Sequence, residues 1–335
     1  MKFQSRSACR NRPPQNRLCV MSRHLLKFLA AVLFVSAAAS LPAQDWAKAA
    51  LEKSPRHREY VALKHGDRTV QAFVAYPEVS RKAPVIVMIH EIFGLSDWAK
   101  EMADELAAQG YIVIAPDFLS GAGPNGGGTD AFPAQDAVTK AVSGLSADQV
   151  TADLDAAADY GKKLPSANGK VFVAGFCWGG GKSFAFATHR HDLSAAFVFY
   201  GTPPPDVTAI TAPVYGFYAG NDARVTATVP AATDAMKAAG KKYDPVIYDG
   251  AGHGFMRAGQ APDASDANKK AYEEGFKRIV DLINKANAAN ASHVQKPARG
   301  GAASAKPVVA AMSCHDPTTD GDATHDAKMD MAAIM

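Results

Sequence analysis

The chain has 335 residues, of which 47% are hydrophobic, and carries 36 Lys/Arg against 33 Asp/Glu for a formal charge of +3. That length fits one large domain or two small ones, with apolar material for a sizeable core. Nucleic acid is excluded as a partner: residues 1–43 hold seven Lys/Arg and no Asp or Glu, so the remainder carries −4 and no basic stripe.

In chain order, Arg23 and Lys27 flank an apolar run from Phe28 to Ala39, followed by small residues and Leu41-Pro42-Ala43-Gln44. A basic region, a short apolar core and a small-residue cleavage site make a secretory signal. The core is short for a bilayer span, and an uncleaved membrane anchor is the alternative reading. Cleavage is expected after Ala43, giving an exported protein, periplasmic or secreted, with no stable membrane span after processing. Cys177 and Cys314 are the cysteines left beyond the leader.

From about Tyr60 the chain alternates strand-like and helical segments. Strands are expected at Val61–Lys64, Val70–Tyr76, Val85–His90, Ile112–Ala115, Val171–Ala174, Ala196–Tyr200, Val214–Tyr218 and Pro245–Tyr248. Helices are expected at Asp97–Gln109, Ala147–Lys163, Gly180–Arg190, Val225–Ala239 and Ala267–Ala289. Val85–Ile89 and Tyr111–Ala115 are apolar on both faces, the mark of a mainly parallel sheet covered by helices. The first two strands, joined through Gly66-Asp67, predict an antiparallel hairpin at the sheet edge. Ser146-Ala-Asp-Gln149 has a capping-box pattern, and Gly110 is placed to stop a helix. Residues 290–335, rich in Ala, Pro, Gly and charge, are read as a disordered tail. The folded domain is therefore placed at 44–289.

Val171-Phe-Val-Ala-Gly-Phe-Cys-Trp-Gly-Gly-Gly181 carries the chemistry. It has the Gly-x-nucleophile-x-Gly form of a nucleophile elbow, with Cys177 at the tip. Gly175 and Gly179 are needed where a Cβ would crowd the strand-to-helix turn. A thiol at a helix N-terminus becomes a useful nucleophile beside a base, and the base needs an orienting carboxylate. Asp222 follows the strand Val214–Tyr218, and His253 follows the strand ending at Tyr248. Nucleophile, acid and base thus come in the order this architecture uses, each on a loop after a strand. Arg224 is read as an anchor for Asp222, a substrate contact or a solvated side chain. After Val85–Ile89 the chain reads His90-Glu91-Ile92-Phe93-Gly94. Backbone N–H groups of Ile92 and Trp178 are the candidate oxyanion donors, and Glu91 is a candidate proton acceptor. No His-x-x-x-His or Cys-x-x-Cys spacing occurs in the folded region, so neither metal nor cofactor is expected.

His90-Glu91-Ile92-Phe93-Gly94, Gly175-Phe176-Cys177-Trp178-Gly179-Gly180, Asp222 and Gly252-His253-Gly254-Phe255 together resemble the dienelactone hydrolase (carboxymethylenebutenolidase) family, over about residues 58–288. The resemblance implies an α/β-hydrolase fold, a mostly parallel central sheet with helices on both faces and an N-terminal edge hairpin. It implies a triad of Cys177, His253 and Asp222, with Glu91 as a movable carboxylate. By that resemblance Glu91 keeps the resting thiol neutral, then takes its proton when substrate displaces it. The product is a thioester acyl-enzyme from a small ester or lactone. The family's enzymes for dienelactone grip a substrate carboxylate with arginines. Arg257 matches one, but the loop Pro116–Thr129, where another is expected, has none and is glycine-rich. It is read as a surface loop or a lid. Phe93 and Trp98 are candidates for lining the substrate pocket, and a monomer is expected. A thiol redox protein and a binding module without turnover are the competing readings.

Overall fold

The structure, a computed structural model, describes residues 45–294; the leader and the tail beyond Val294 lie outside the described residues. Helix α1 (Asp45–Lys53) precedes strands β1 (Arg58–His65) and β2 (Arg68–Ala75). Next come β3 (Ala83–Ile89), α2 (Asp97–Ala108), β4 (Ile112–Pro116), α3 (Gln135–Ser143), α4 (Ala147–Lys163) and β5 (Ala167–Phe176). The remainder is α5 (Trp178–His189), β6 (Ala195–Phe199), β7 (Val214–Ala219), α6 (Ala223–Thr226), α7 (Val229–Ala238), β8 (Tyr243–Tyr248), α8 (Phe255–Ala258) and α9 (Asp266–Val294).

The strands make one eight-stranded sheet in the order β1-β2-β4-β3-β5-β6-β7-β8. β1 pairs antiparallel with β2 and β2 with β4, while every pairing from β4 to β8 is parallel. β3 and β4 are buried at every position, as strands apolar on both faces require. On one face Trp98, Met102 and Leu106 of α2 and Ile279 and Ile283 of α9 pack with Phe172 and Phe197. On the other, Val150 and Leu154 of α4, Phe184 of α5 and Met236 of α7 cover Val85, Val171 and Val198. This is the α/β-hydrolase architecture, with the hairpin at the edge.

Local signals hold where backbone chemistry is explicit. Ser146 accepts from the Gln149 N–H at 3.2 Å, and Gly110 follows α2 at φ +96. Three helices go beyond the predicted set, α1, α3 and the one-turn α8, and the helix expected at Val225–Ala239 is divided into α6 and α7. In α1 only Ala47 is buried, and in α3 only Val138 and Val142, too few apolar anchors for a helical period to stand out. α5 begins at Trp178 rather than Gly180. Three consecutive glycines have poor intrinsic helix propensity, and packing between β3 and β6 overrides it. α9 runs past Ala289, where the helix was expected to end, to Val294.

Candidate active site

β5 ends at Phe176 and α5 begins at Trp178, so Cys177 alone turns the chain, at φ 57 and ψ −116. A residue with a Cβ held there costs on the order of 1–3 kcal/mol, so surrounding contacts must over-determine it. They do: the Cys177 N–H donates to Phe199 O at 3.1 Å, and Gly180 N–H to Cys177 O at 3.0 Å. The flanking glycines answer a different need. A Cβ on Gly175 would lie 1.9 Å from Gly179 O, and one on Gly179 would lie 2.4 Å from His90 O. Strand, helix and the loop after β3 thus meet backbone to backbone around the thiol.

Sheet register brings the other groups to this edge. Ile89 pairs with Gly175, Phe176 with Phe199, Phe199 with Phe217, and Ala219 with Tyr248. Glu91, Cys177, Tyr200, Asp222 and His253 therefore all follow strand ends along the C-terminal edge, on strands spaced about 4.8 Å apart. The loops after β7 and β8 are stitched together: Gly220 N–H donates to Tyr248 O, and Asn221 N–H to Ala251 O, each at 2.8 Å. Across that seam His253 Nδ1 lies 2.5 Å from Asp222 Oδ2, and His253 Nε2 lies 3.1 Å from Cys177 Sγ. Asp222 also caps α6, its Oδ1 accepting from the Val225 N–H at 3.3 Å. One carboxylate thus fixes a helix start and orients the imidazole.

The hydrogen bond to Cys177, helped by Asp222 and opposed by burial, raises the His253 pKa from 6.5 to about 9. A folded pKa above the unfolded one adds stability that is complete below about pH 6.5 and is lost as pH rises through about 9. Thermal melts should therefore show Tm falling across that window, and His253→Gln should flatten the fall. A variant with an undiminished slope would show that the slope comes from another group.

Glu91 is 1% exposed and its two oxygens are held separately. Arg257 Nε donates to Oε2 at 2.8 Å, and the Tyr200 hydroxyl donates to Oε1 at 3.2 Å. Burial pushes the Glu91 carboxyl above its ordinary range, with Arg257 pulling the other way. Arg257 also lies over the Phe93 ring, 5.0 Å from its centroid. Phe93 thus seats the guanidinium that holds Glu91. Trp98, by contrast, is 1% exposed, packs edge-on against Phe176 and donates to Gln260 Oε1 at 2.7 Å. It belongs to the core beneath the sheet edge and not to the pocket, because the buried face of α2 carries it inward.

Ile92 and Trp178 both line a cavity of about 420 Å³ that opens beside Cys177. His90 sets the geometry of the Ile92 N–H, the first candidate donor. Its Nδ1–H donates to Glu91 O at 2.7 Å, and its ring stacks on Trp178. Glu91 C=O and Ile92 N–H are opposite ends of one planar trans peptide, so anchoring the carbonyl aims the N–H the other way. Burial lowers the His90 pKa and keeps the ring neutral. Sequence reading assigned no role to His90 or to Tyr200. The signal for Tyr200 lay in its place at the end of β6, directly before Gly201.

The glycine-rich loop is anchored rather than loose. Asp117 Oδ2 accepts from the Thr129 N–H at 2.7 Å, and Oδ1 accepts from the Thr129 hydroxyl at 2.7 Å. Thr129 Oγ1 in turn accepts from the Leu95 N–H at 3.1 Å. A Cβ on Gly128 would sit 2.2 Å from Asp117 Oδ2. This glycine is there for the carboxylate, which ties the loop to the chain that follows Glu91.

Comparison with known proteins finds the relatives of this chain. The sequence model of the dienelactone hydrolase family matches residues 70–287. A Methylorubrum extorquens protein, provisionally named carboxymethylenebutenolidase, is 32% identical over 229 residues, 64% of this chain and 76% of that protein. A carboxymethylenebutenolidase homolog of Mus musculus is 29% identical over 226 residues, 64% of this chain and 87% of its own. Among solved structures, a provisionally named dienelactone hydrolase from Klebsiella pneumoniae superposes with a TM-score of 0.59 at 24% identity. It covers 68% of this chain and 97% of that one, a likeness of fold.

Proposed function

The chain belongs to the dienelactone hydrolase family, hydrolases of ester or lactone bonds, and from that premise we propose that it is an exported cysteine hydrolase of small esters or lactones. The observation that carries the reading is the line from Cys177 Sγ through the His253 ring to Asp222. A thiol so placed can give up its proton and attack a carbonyl carbon in the adjoining cavity. The resulting oxyanion would accept from the N–H groups of Ile92 and Trp178. Collapse forms a thioester on Cys177 and expels the alkoxide, which takes a proton from His253 Nε2. Water, losing a proton to His253, then attacks the thioester, and the acid leaves as the thiol is restored.

Glu91 is the proton acceptor held in reserve. Burial makes it more basic than an ordinary carboxylate; on exchanging its Arg257 partner for the thiol it would take the sulfur proton in place of His253, which then enters the cycle already protonated, and it would return that proton to sulfur when the acid leaves. Export is supported by the layout of residues 1–43, basic, then apolar, then small; among the described residues no helix is long and apolar enough to cross a membrane.

The test is a rapid-quench experiment with a small ester or lactone. Turnover should be blocked by iodoacetamide, and mass spectrometry should find the acyl group on the peptide bearing Cys177. Full turnover after complete alkylation of Cys177 would rule out the thiol as nucleophile.

A further inference from the structure

We propose that α3 is a movable backing for one wall of the thiol cavity, and that the apolar groove beside it is the space it moves into when a bulky substrate enters. The proposal rests on the hydrolase reading above and names the element that sets the size of substrate accepted.

Ile92 and Trp178 line the cavity beside Cys177. Packed against them is a small apolar cluster, apart from the two main cores, whose buried members are Leu119, Val138 and Val142. Val138 and Val142 come from α3, and a Cβ on Gly94 would meet Val138 Cγ1 at 3.0 Å. α3 therefore rests on the chain that carries Glu91 and Ile92. Its seat there keeps the two wall side chains from receding.

That seat is slight. Ser96 and Ser146 cap α2 and α4 by accepting a backbone N–H, whereas Ala134 opens α3 with no side-chain bond. A helix of nine residues is too short to hold itself without packing, and Val138 and Val142 are its only buried residues. Its polar tie to the loop after β3 is long, Gln135 Nε2 donating to Phe93 O at 3.4 Å.

A second seat lies beside the first. A groove of about 560 Å³ has Ala137 and Ala141 of α3, with Leu145 just beyond, on one side and Leu119, Ala122 and Phe132 on the other. Asp117 and Thr129 pin the loop that forms the far side, so α3 is the wall free to move. Neighbouring helix positions lie about 100° apart, so the groove face of α3 adjoins the face on Ile92. A roll into the groove buries Ala137 and Ala141 in place of Val138 and Val142. Apolar surface is covered in both positions, which gives one helix two resting places. Ile92 and Trp178 then lose their backing, and the cavity widens beside the thiol.

The test compares p-nitrophenyl acetate with p-nitrophenyl 3-phenylpropanoate, alongside hydrogen exchange read by mass spectrometry. Ala122 is exposed, so Ala122→Trp fills the groove without disturbing a core. It should cut the bulky-to-small ratio of kcat/KM about tenfold, within the span that pocket size gives. Val138→Ala lightens the present seat and should raise that ratio about threefold by shifting the population of α3. In wild type the amides of α3 should exchange about 100-fold faster than those of α4, and Ala122→Trp should slow them about tenfold. A helix that merely frays would also exchange fast, but its fraying would leave the choice of ester unchanged. A ratio unmoved in either variant would overturn the gate while leaving the hydrolase standing. If neither ester is turned over, the hydrolase reading fails, and exchange decides the gate alone. Fast exchange in α3 that the tryptophan slows supports it. Exchange as slow as in α4, or not slowed by the tryptophan, overturns it.

Discussion

Cys177→Ala should remove ester hydrolysis, lowering kcat/KM by on the order of 10⁴-fold or more, while the protein stays folded. The expected loss is large because, in the proposed mechanism, every covalent step passes through one sulfur atom. His253 and Asp222 would keep their 2.5 Å contact but would have no thiol to serve. Folding should survive because the Cys177 backbone is held by its own N–H and C=O, through Phe199 and Gly180, and alanine keeps both. Cys177→Gly carries the argument further. Glycine relieves a φ of 57 and should raise stability by about 1 kcal/mol while activity is equally lost. Steady-state kinetics and urea melts read the two effects separately. Residual activity within tenfold of wild type in either variant would remove Cys177 from the chemistry.

Gly175→Ala should cost about 3–5 kcal/mol, a large share of the 5–15 kcal/mol that holds a typical domain folded. Its Cβ would lie 1.9 Å from Gly179 O and 2.5 Å from Gly179 C. Those are backbone atoms of a helix pinned between β3 and β6, so no side chain can rotate aside. Relief would require α5 to move away from the sheet, breaking the Cys177 contacts as well. Gly181→Ala is the control within the same turn. Its nearest neighbour would be Thr202 O at 3.5 Å, an ordinary contact, and alanine improves helix propensity. It should be neutral or stabilising by about 0.5 kcal/mol. A Gly175→Ala protein that melts with wild type would mean that the elbow yields more easily than its backbone contacts imply.

The candidate site was legible unevenly. Cys177, Asp222 and His253 stand out in sequence because each sits in a glycine-marked turn after an apolar strand, and strand ends are readable from local pattern. Glu91 was visible for the same reason. Arg257 was read as a substrate contact because, four residues after His253, it matches an arginine that the family resemblance implies for that role. Its engagement with Glu91, 166 residues away, has no local signature. Trp98 was placed at the pocket because it follows Glu91 closely in the chain, yet the helical turn of α2 points it into the core. The glycine-rich loop reads as loose on composition, but Asp117 pins it through Thr129.

What the sequence determined by itself is what depends on short-range rules: alternating strands and helices, strands buried on both faces, the glycine frame of the elbow, and the order in which Cys177, Asp222 and His253 follow their strands. Only the tertiary structure decided which charged groups meet. Ion pairs form between side chains that the sheet register brings to one edge, and partner choice there depends on distances that sequence spacing does not encode. That is why Arg257 came to rest on Glu91, while Lys182 and Arg224 were left facing the cavity beside the thiol.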